Sequence, residues 1–543
     1  MLAIRVDTMK LACNSRIIYK YILFVTLSLS MISCGTGENK DLEDKPLLYS
    51  ITPNKGSVNG GDLVTISGVD FNSQTSVLIG KNKCTDSQLV SSSQIQCNTA
   101  RVAPYAGLKK VTITQDKLEV GFIENGFEYT CPWIYQSSPN CGAIPPVPAK
   151  PQNAEFVISS FQEGHGFYSN KSGNHNYNDV EDFTIGSQSL RITTESYSSE
   201  PKYIRNFNIG EFDFTDKMPQ LKIKIDNTRN LSSAHLYLGD SNLENFFKFK
   251  FRSSQGQKWI TDNDWVTFSF PWTGSHTSIT GSPDRSFITD AQIRIISNAE
   301  EAITMHVNQI AAVKEQNIFP NGVLSFTFDD GYISQYSVVK PILEAKLFSA
   351  TAYIIAKNIG NGKSYMTLAN LKSLEQSGWE IAAHSYSGKS HGEKYTSLTL
   401  DELEKDIIYM RQWLISNGFS GYNHCAYPNG SFKNDQTENI LPLIRAYYTS
   451  CRTIHELHRE SIPPSDAHKL RVYYITNVES LEAAKTAITH AQENKEWIIL
   501  VFHKITENPT HSTEWSKNHF QKLVNFVDDI GISVKTVGDV LSY

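Results

Sequence analysis

The sequence lacks a long apolar run. Its most hydrophobic early stretch, Tyr21 to Ile32, falls short of the roughly 20 residues that a helical membrane span needs. It also lacks an excess of charge of one sign: 50 Lys and Arg against 56 Asp and Glu leave a net charge of −6. That balance excludes the basic surface of a nucleic-acid partner and a polybasic membrane patch. Cysteines are few, and none of their spacings resembles a zinc ribbon. The C-terminal part has no Gly-x-Ser-x-Gly elbow, so a serine-hydrolase nucleophile is not expected there. What remains is 543 residues, enough for several domains, with 25 Tyr and 27 Phe that suit β-rich domains and cores alike.

The N-terminus reads as a targeting segment. Arg16 and Lys20 precede the apolar run, which is followed by small residues and Cys34. Met31-Ile32-Ser33-Cys34 resembles a bacterial lipoprotein cleavage box, with Met31 in place of the usual Leu. The resemblance implies a signal peptide over 1–33, a lipid on Cys34, export, and anchorage at the outer membrane or cell surface; an ordinary secretory signal cut near Cys34 is the alternative. Residues 34–46, polar and acidic, then form a tether. Beyond Cys13 and Cys34, six cysteines fall into three sequence-local pairs, as expected in an oxidising compartment. Cys84 with Cys97 and Cys131 with Cys141 are the expected bridges, while Cys425 and Cys451 read equally as a bridge or as buried thiols.

From 47 to 130 short strands alternate with Gly, Asn and Ser turns: Ile51-Thr52-Pro53, Gly60-Gly61, Val64 to Gly68, Phe71 and Val77 to Gly80. This order resembles the immunoglobulin-like TIG (IPT) domain, which implies a small sandwich used as spacer or interaction module. Residues 131–151 are a Pro-rich linker ending Pro145-Pro146-Val147-Pro148. Over 152–316 alternation returns, as in Leu221 to Ile225 and Phe247 to Phe251, and predicts half-buried antiparallel sheets in a sandwich of jelly-roll type. Such a domain could bind carbohydrate. Trp259, Trp265, Trp272 and Tyr237 are candidate stacking residues, against the competing expectation that most of them fill the core.

Residues 317–543 change to alternating strands and helices, which predicts a parallel sheet, either open or closed as a barrel. Expected elements are the strands Val323 to Phe328, Thr351 to Ile355, Trp379 to Ala383, one near Tyr447, Val472 to Ile475 and Trp497 to Phe502. Helices are expected over Gln335 to Ala345, Met366 to Ser377, from the capping box Thr399-Leu400-Asp401-Glu402 onward, and Trp515 to Asp529. Asp329 and Asp330 end one strand, His384 another and His503 a third, with Tyr427-Pro428-Asn429-Gly430 at a further strand end. In a barrel, strand C-termini share one face, and carboxylate with imidazole is a ligand set for Zn²⁺ or a similar divalent ion.

Here Thr327-Phe328-Asp329-Asp330-Gly331, His384-Ser385 and Leu500-Val501-Phe502-His503 resemble three motifs of the polysaccharide deacetylases of carbohydrate esterase family four. The resemblance implies a distorted (β/α) barrel with Asp329 as general base, Asp330 and His384 as metal ligands, and His503 as general acid. It implies removal of acetyl groups from a polysaccharide with a divalent metal, Zn²⁺ being the first choice. The expected reaction is N-deacetylation of an N-acetylglucosamine-containing polymer. O-deacetylation of a xylan-type glycan and an impaired glycan-binding or adhesion lipoprotein are the alternatives.

The sequence departs from the family in three places. The usual second His falls on Gly388, with His391 as the expected substitute and a two-ligand site completed by water as the alternative. The usual Arg-x-Pro-Tyr-Gly appears as Ala426-Tyr427-Pro428-Asn429-Gly430. Arg471 is expected to supply the missing charge, and a backbone N–H near Tyr427 the oxyanion contact. The fourth motif, with its Asp and Trp, has no counterpart.

Overall fold

The computed structural model describes residues 46–542 apart from 103, 116–117, 132–140, 144–153, 170–174, 253–261, 273–276, 299, 316–317, 433–439 and 455–458. Cys34, the signal segment, most of the Pro-rich linker and Trp259 therefore lie outside the described residues. No described helix is long and apolar enough to cross a membrane.

The first domain is a sandwich of a four-stranded and a five-stranded sheet. Alternation in Leu63–Val69 and Gly107–Gln115 turns Val64, Ile66, Val111 and Ile113 into the shared core. Cys84 and Cys97 lie in that core as free thiols, so the disulfide expected between them is absent. Cys84 sits where the chain passes from one sheet to the other, between Asn82–Lys83 and Thr85–Ser91, Cys97 sits in the strand Gln94–Asn98, and both serve as small apolar packing. Among the described residues the bridges formed are Cys131–Cys141 and Cys425–Cys451.

The second domain packs two six-stranded sheets face to face, the jelly-roll-like sandwich expected from alternation. Leu221, Ile223 and Ile225 from one sheet meet Leu236, Ile293 and Phe249 from the other. Of the stacking candidates, Trp272 belongs to this core, its indole N–H donating to the Lys217 carbonyl at 2.6 Å. Trp265 is half-buried and donates to Asp182 at 3.2 Å. Tyr237 lies on the outer face of the second sheet, since its neighbours Leu236 and Leu238 point into the core.

The third domain is a curled parallel sheet in the order Ser450–Arg452, Gly421–Ala426, Glu380–Ser385, Thr351–Ile355, Val323–Asp330, Trp497–Phe502, Tyr473–Tyr474. A bridge between Arg452 and Leu470 spans the gap between its two edges and makes the sheet a distorted barrel. The strand Trp497–Phe502 and the helix Leu400–Ser416, capped by Thr399 and Glu402, fall where the sequence puts them. The strand expected near Tyr447 is displaced: Leu441–Tyr447 is a helix carrying Leu441, Ile444 and Tyr447 on its buried face, and Ser450–Arg452 is the strand. Domains meet through charged contacts. Arg101 of the first pairs with Glu404 at 3.0 Å and with Asp401, and Lys469 meets Asp264 of the second at 3.2 Å.

Candidate metal centre and active site

The strand Val323–Asp330 is buried along its whole length, so its last two residues enter the barrel mouth with little water around them. Asp330 adopts φ 71° and Gly331 φ 80°, a left-handed pair that turns the chain sharply and aims the two carboxylates to different places. Gln335 holds the turn: its side-chain amide donates to the Asp329 carbonyl at 2.6 Å and to the His503 carbonyl at 3.3 Å. The ends of two neighbouring strands are thus clamped together.

Two imidazoles converge beside Asp330. His384, on Glu380–Ser385, donates Nδ1–H to the Ala426 carbonyl at 2.9 Å, which leaves its Nε2 lone pair facing the site. His391 arrives on the short helix Gly388–Glu393, whose N-cap is Ser387. Tyr386 N–H and Tyr395 O–H donate to buried Asp406, which anchors the loop on both sides of that helix. The Nε2 atoms of His384 and His391 lie 3.1 Å apart, and Asp330 Oδ1 lies 3.6 Å and 3.3 Å from them. Ligands about 2.0–2.1 Å from a tetrahedral ion stand about 3.3 Å from one another, so the three atoms are spaced as such an ion requires.

Two further observations fit a cation. Asp330 Oδ1 is buried with no hydrogen-bond partner among the described residues, a costly state for a carboxylate oxygen. Burial pushes the pKa of His384 down to about 3 and also lowers that of His391, so both imidazoles stay neutral and able to ligate. Among the described residues this is the one His, Cys, Asp and Glu cluster compact enough for a metal ion.

Asp329 faces the other way. One of its oxygens is bonded to the guanidinium of Arg452, and the other, Oδ2, stands 3.9 Å from both His384 Nε2 and His503 Nε2. Burial pushes its carboxyl up, but Arg452, His384 and His503 together outweigh that and hold it below the usual carboxylate range. His503 packs edge-on against Tyr474 with ring centroids 5.7 Å apart.

One expectation is corrected here. Arg471 does not reach Asp329: its guanidinium grips buried Glu460 with bonds of 2.7 and 2.8 Å. The charge comes from Arg452, wholly buried at the end of the edge strand and lying 4.9 Å over the Tyr353 ring. Only the curl of the sheet brings it back to Asp329, so no linear spacing could announce it. Tyr427 is likewise engaged, its N–H donating to the Arg452 carbonyl at 2.9 Å and its O–H to the His468 carbonyl at 2.8 Å. In the turn just after it Asn429 takes φ 53°, and its side-chain amide donates to the His391 carbonyl at 3.0 Å.

Residues 46–131 match the model of the IPT/TIG domain, and residues 316–443 match that of the polysaccharide deacetylases. No curated protein matches the chain. Among solved structures, the Xyl-CE4 domain of a multidomain xylanase from the hindgut metagenome of Trinervitermes trinervoides is 16% identical, over 41% of this chain and 90% of that one, with a TM-score of 0.29. The peptidoglycan deacetylase PdaC from Bacillus subtilis is 16% identical over 41% and 91%, with a TM-score of 0.27. A family 4 acetyl xylan esterase from Clostridium thermocellum is 15% identical over 40% and 90%, with a TM-score of 0.28. The chain thus joins an N-terminal IPT/TIG domain to a C-terminal domain of the polysaccharide deacetylase family.

Proposed function

We propose that the C-terminal domain hydrolyses N-acetyl groups of an N-acetylglucosamine-containing polysaccharide, with a divalent cation, Zn²⁺ by its ligand set, held by Asp330, His384 and His391. The observation that carries this is the spacing of the three ligand atoms around the orphaned Asp330 Oδ1. A cation bound there supplies Lewis acidity toward the acetyl carbonyl and activation of water.

The chain's own groups do the proton chemistry. Asp329, ionised by its bond to Arg452, takes a proton from the attacking water through Oδ2, its unpaired oxygen. A backbone N–H of the turn after Tyr427 is the donor proposed for the developing oxyanion. His503, 3.9 Å across from Asp329 Oδ2, protonates the departing sugar nitrogen, so one water is consumed and one acetate and one free amine leave. An ester substrate would follow the same course with oxygen as the leaving atom.

The protein is proposed to work outside the cell, lipid-anchored through Cys34. The two disulfides support an oxidising compartment. The test is acetate release from N-acetylglucosamine oligomers, peptidoglycan and acetylated xylan, after chelation and again with zinc restored. Zinc-dependent release from the amide substrates is expected. Release from xylan alone would make it an esterase, and no release with no metal retained would leave a binding protein.

A further inference from the structure

The outer face of the second jelly-roll sheet has no part in this chemistry, yet it is built as a site. Core-facing Ile204, Ile293, Leu236 and Phe249 alternate with outward Arg205, Arg294, Tyr237 and Lys248. The register aligns Tyr168, Arg205, Gln292, Tyr237, Lys248 and Ser278 in one row across six strands. At about 4.8 Å per strand that row spans about 24 Å. A second row beside it runs Tyr203, Arg294, His235, Lys250.

Two features set this face apart from an ordinary solvated sheet. The first is charge. The ionic neighbours felt by His235 are Arg294, Lys248 and Lys250, all positive, and they hold its pKa, already lowered by burial, to about 4. Like charges side by side on a sheet destabilise it. The second is buried, unmet hydrogen-bonding capacity. His235, Tyr237 and Gln292 are only 8%, 6% and 8% exposed. His235 Nδ1, Arg205 Nε and Arg294 Nε have no partner among the described residues. Aromatic rings meanwhile fix the guanidinium groups: Arg294 lies 5.7 Å over Tyr203 and donates to Tyr237 Oη at 3.3 Å, and Arg205 lies 5.6 Å over Tyr168. Positioned cations, ring faces and unpaired donors in rows across the width of the sheet suit an extended anionic polymer with flat sugar faces. Among the described residues, the domain's ion pairs and hydrogen bonds to the barrel come from Asp264 and Ser269, beside and on the edge strand of the other sheet, and leave this face alone.

We propose that this face binds an acidic, carboxylate-bearing polysaccharide, holding the polymer that the barrel works on. That the polymer is a glycan rests on the deacetylase reading; that it is anionic rests on the face itself.

The test measures binding of the full-length protein, with Asp330→Ala to prevent turnover, to polygalacturonate, to its neutral methyl ester and to inorganic polyphosphate. Polygalacturonate is expected to bind at least about tenfold more tightly than either other polymer. Arg294→Gln, and separately the exposed-end pair Lys248→Gln/Lys250→Gln, which cannot disturb the core, should each weaken it by about tenfold. No binding, equal binding of the methyl ester, equal binding of polyphosphate, or indifference to both variants would overturn the proposal. Acetate release by the unsubstituted protein is read separately, so its absence would count against the deacetylase reading and leave this comparison intact.

Discussion

Replacing Arg452 by Met removes the charge bonded to Asp329. The two side chains are 0% and 2% exposed, so the survivor would be an uncompensated buried carboxylate. Breaking such a pair from one side costs about 3–5 kcal/mol. Asp329 can relieve part of this by taking up a proton, which puts the expected loss near about 3 kcal/mol and removes the base at the same time. Acetate release at neutral pH should fall about 100-fold or more. The sign of the pH effect follows from the balance at Asp329: burial raises its pKa and Arg452 leads the groups that lower it. Without Arg452 burial prevails, so the rising acid limb of kcat/KM moves to higher pH and activity partly returns as pH is raised. Arg452→Met/Asp329→Asn should recover stability, because neither charge is then buried alone, but not activity. The calorimetric transition that moves up with added zinc reports this domain. An unmoved acid limb, or the same shift from Arg471→Met, would refute the reasoning.

His391→Ala should weaken zinc affinity by more than about 100-fold, measured by competition with a chromogenic chelator. Adding Gly388→His to it should not restore binding, because a Cβ on Gly388 already meets Asn358 Oδ1 at 3.4 Å, tighter than most Cβ contacts. Alkylation and mass spectrometry of the unreduced protein should find Cys131, Cys141, Cys425 and Cys451 protected, with Cys84 and Cys97 reacting only after unfolding. Cys425→Ser/Cys451→Ser should cost about 2–4 kcal/mol and depress activity, since Cys451 adjoins Arg452. Arg101→Ala should leave metal binding unchanged while loosening the first domain from the barrel, seen as a larger radius of gyration in solution scattering.

What could be read from the sequence was local. Asp329, Asp330 and His503 end strands that announce themselves by continuous apolar runs, and a barrel then places strand ends together. The helix from Leu400 was legible because its cap and its apolar face are both written within a few residues. Arg452 was not, because the strand that carries it has three residues and no pattern, and its partner is 123 positions away. Arg471 stands at the head of an apolar stretch, but Glu460, which claims it, is likewise set only by the fold. The pair Cys84 and Cys97 shows the converse: closeness in sequence did bring the thiols together, yet into a core where packing suffices.

The site's own charges give a reason why its parts occur together. Asp329 and Arg452 cancel, His384 and His391 are neutral, and Asp330 is left as one buried negative charge whose oxygen has no partner. A protein keeps such a group only where something else neutralises it. Burial raises the Asp330 pKa, so a proton is one solution, with the Nε2–H tautomer of His391 donating to His384 Nε2 at 3.1 Å. A dication satisfies all three ligands at once and turns the net charge of the site from −1 to +1. That positive balance is what an oxyanion forming beside it requires, and it depends on Arg452 having cancelled Asp329 first. The arginine that no motif contains is therefore needed for the electrostatics of the metal centre as much as for the base.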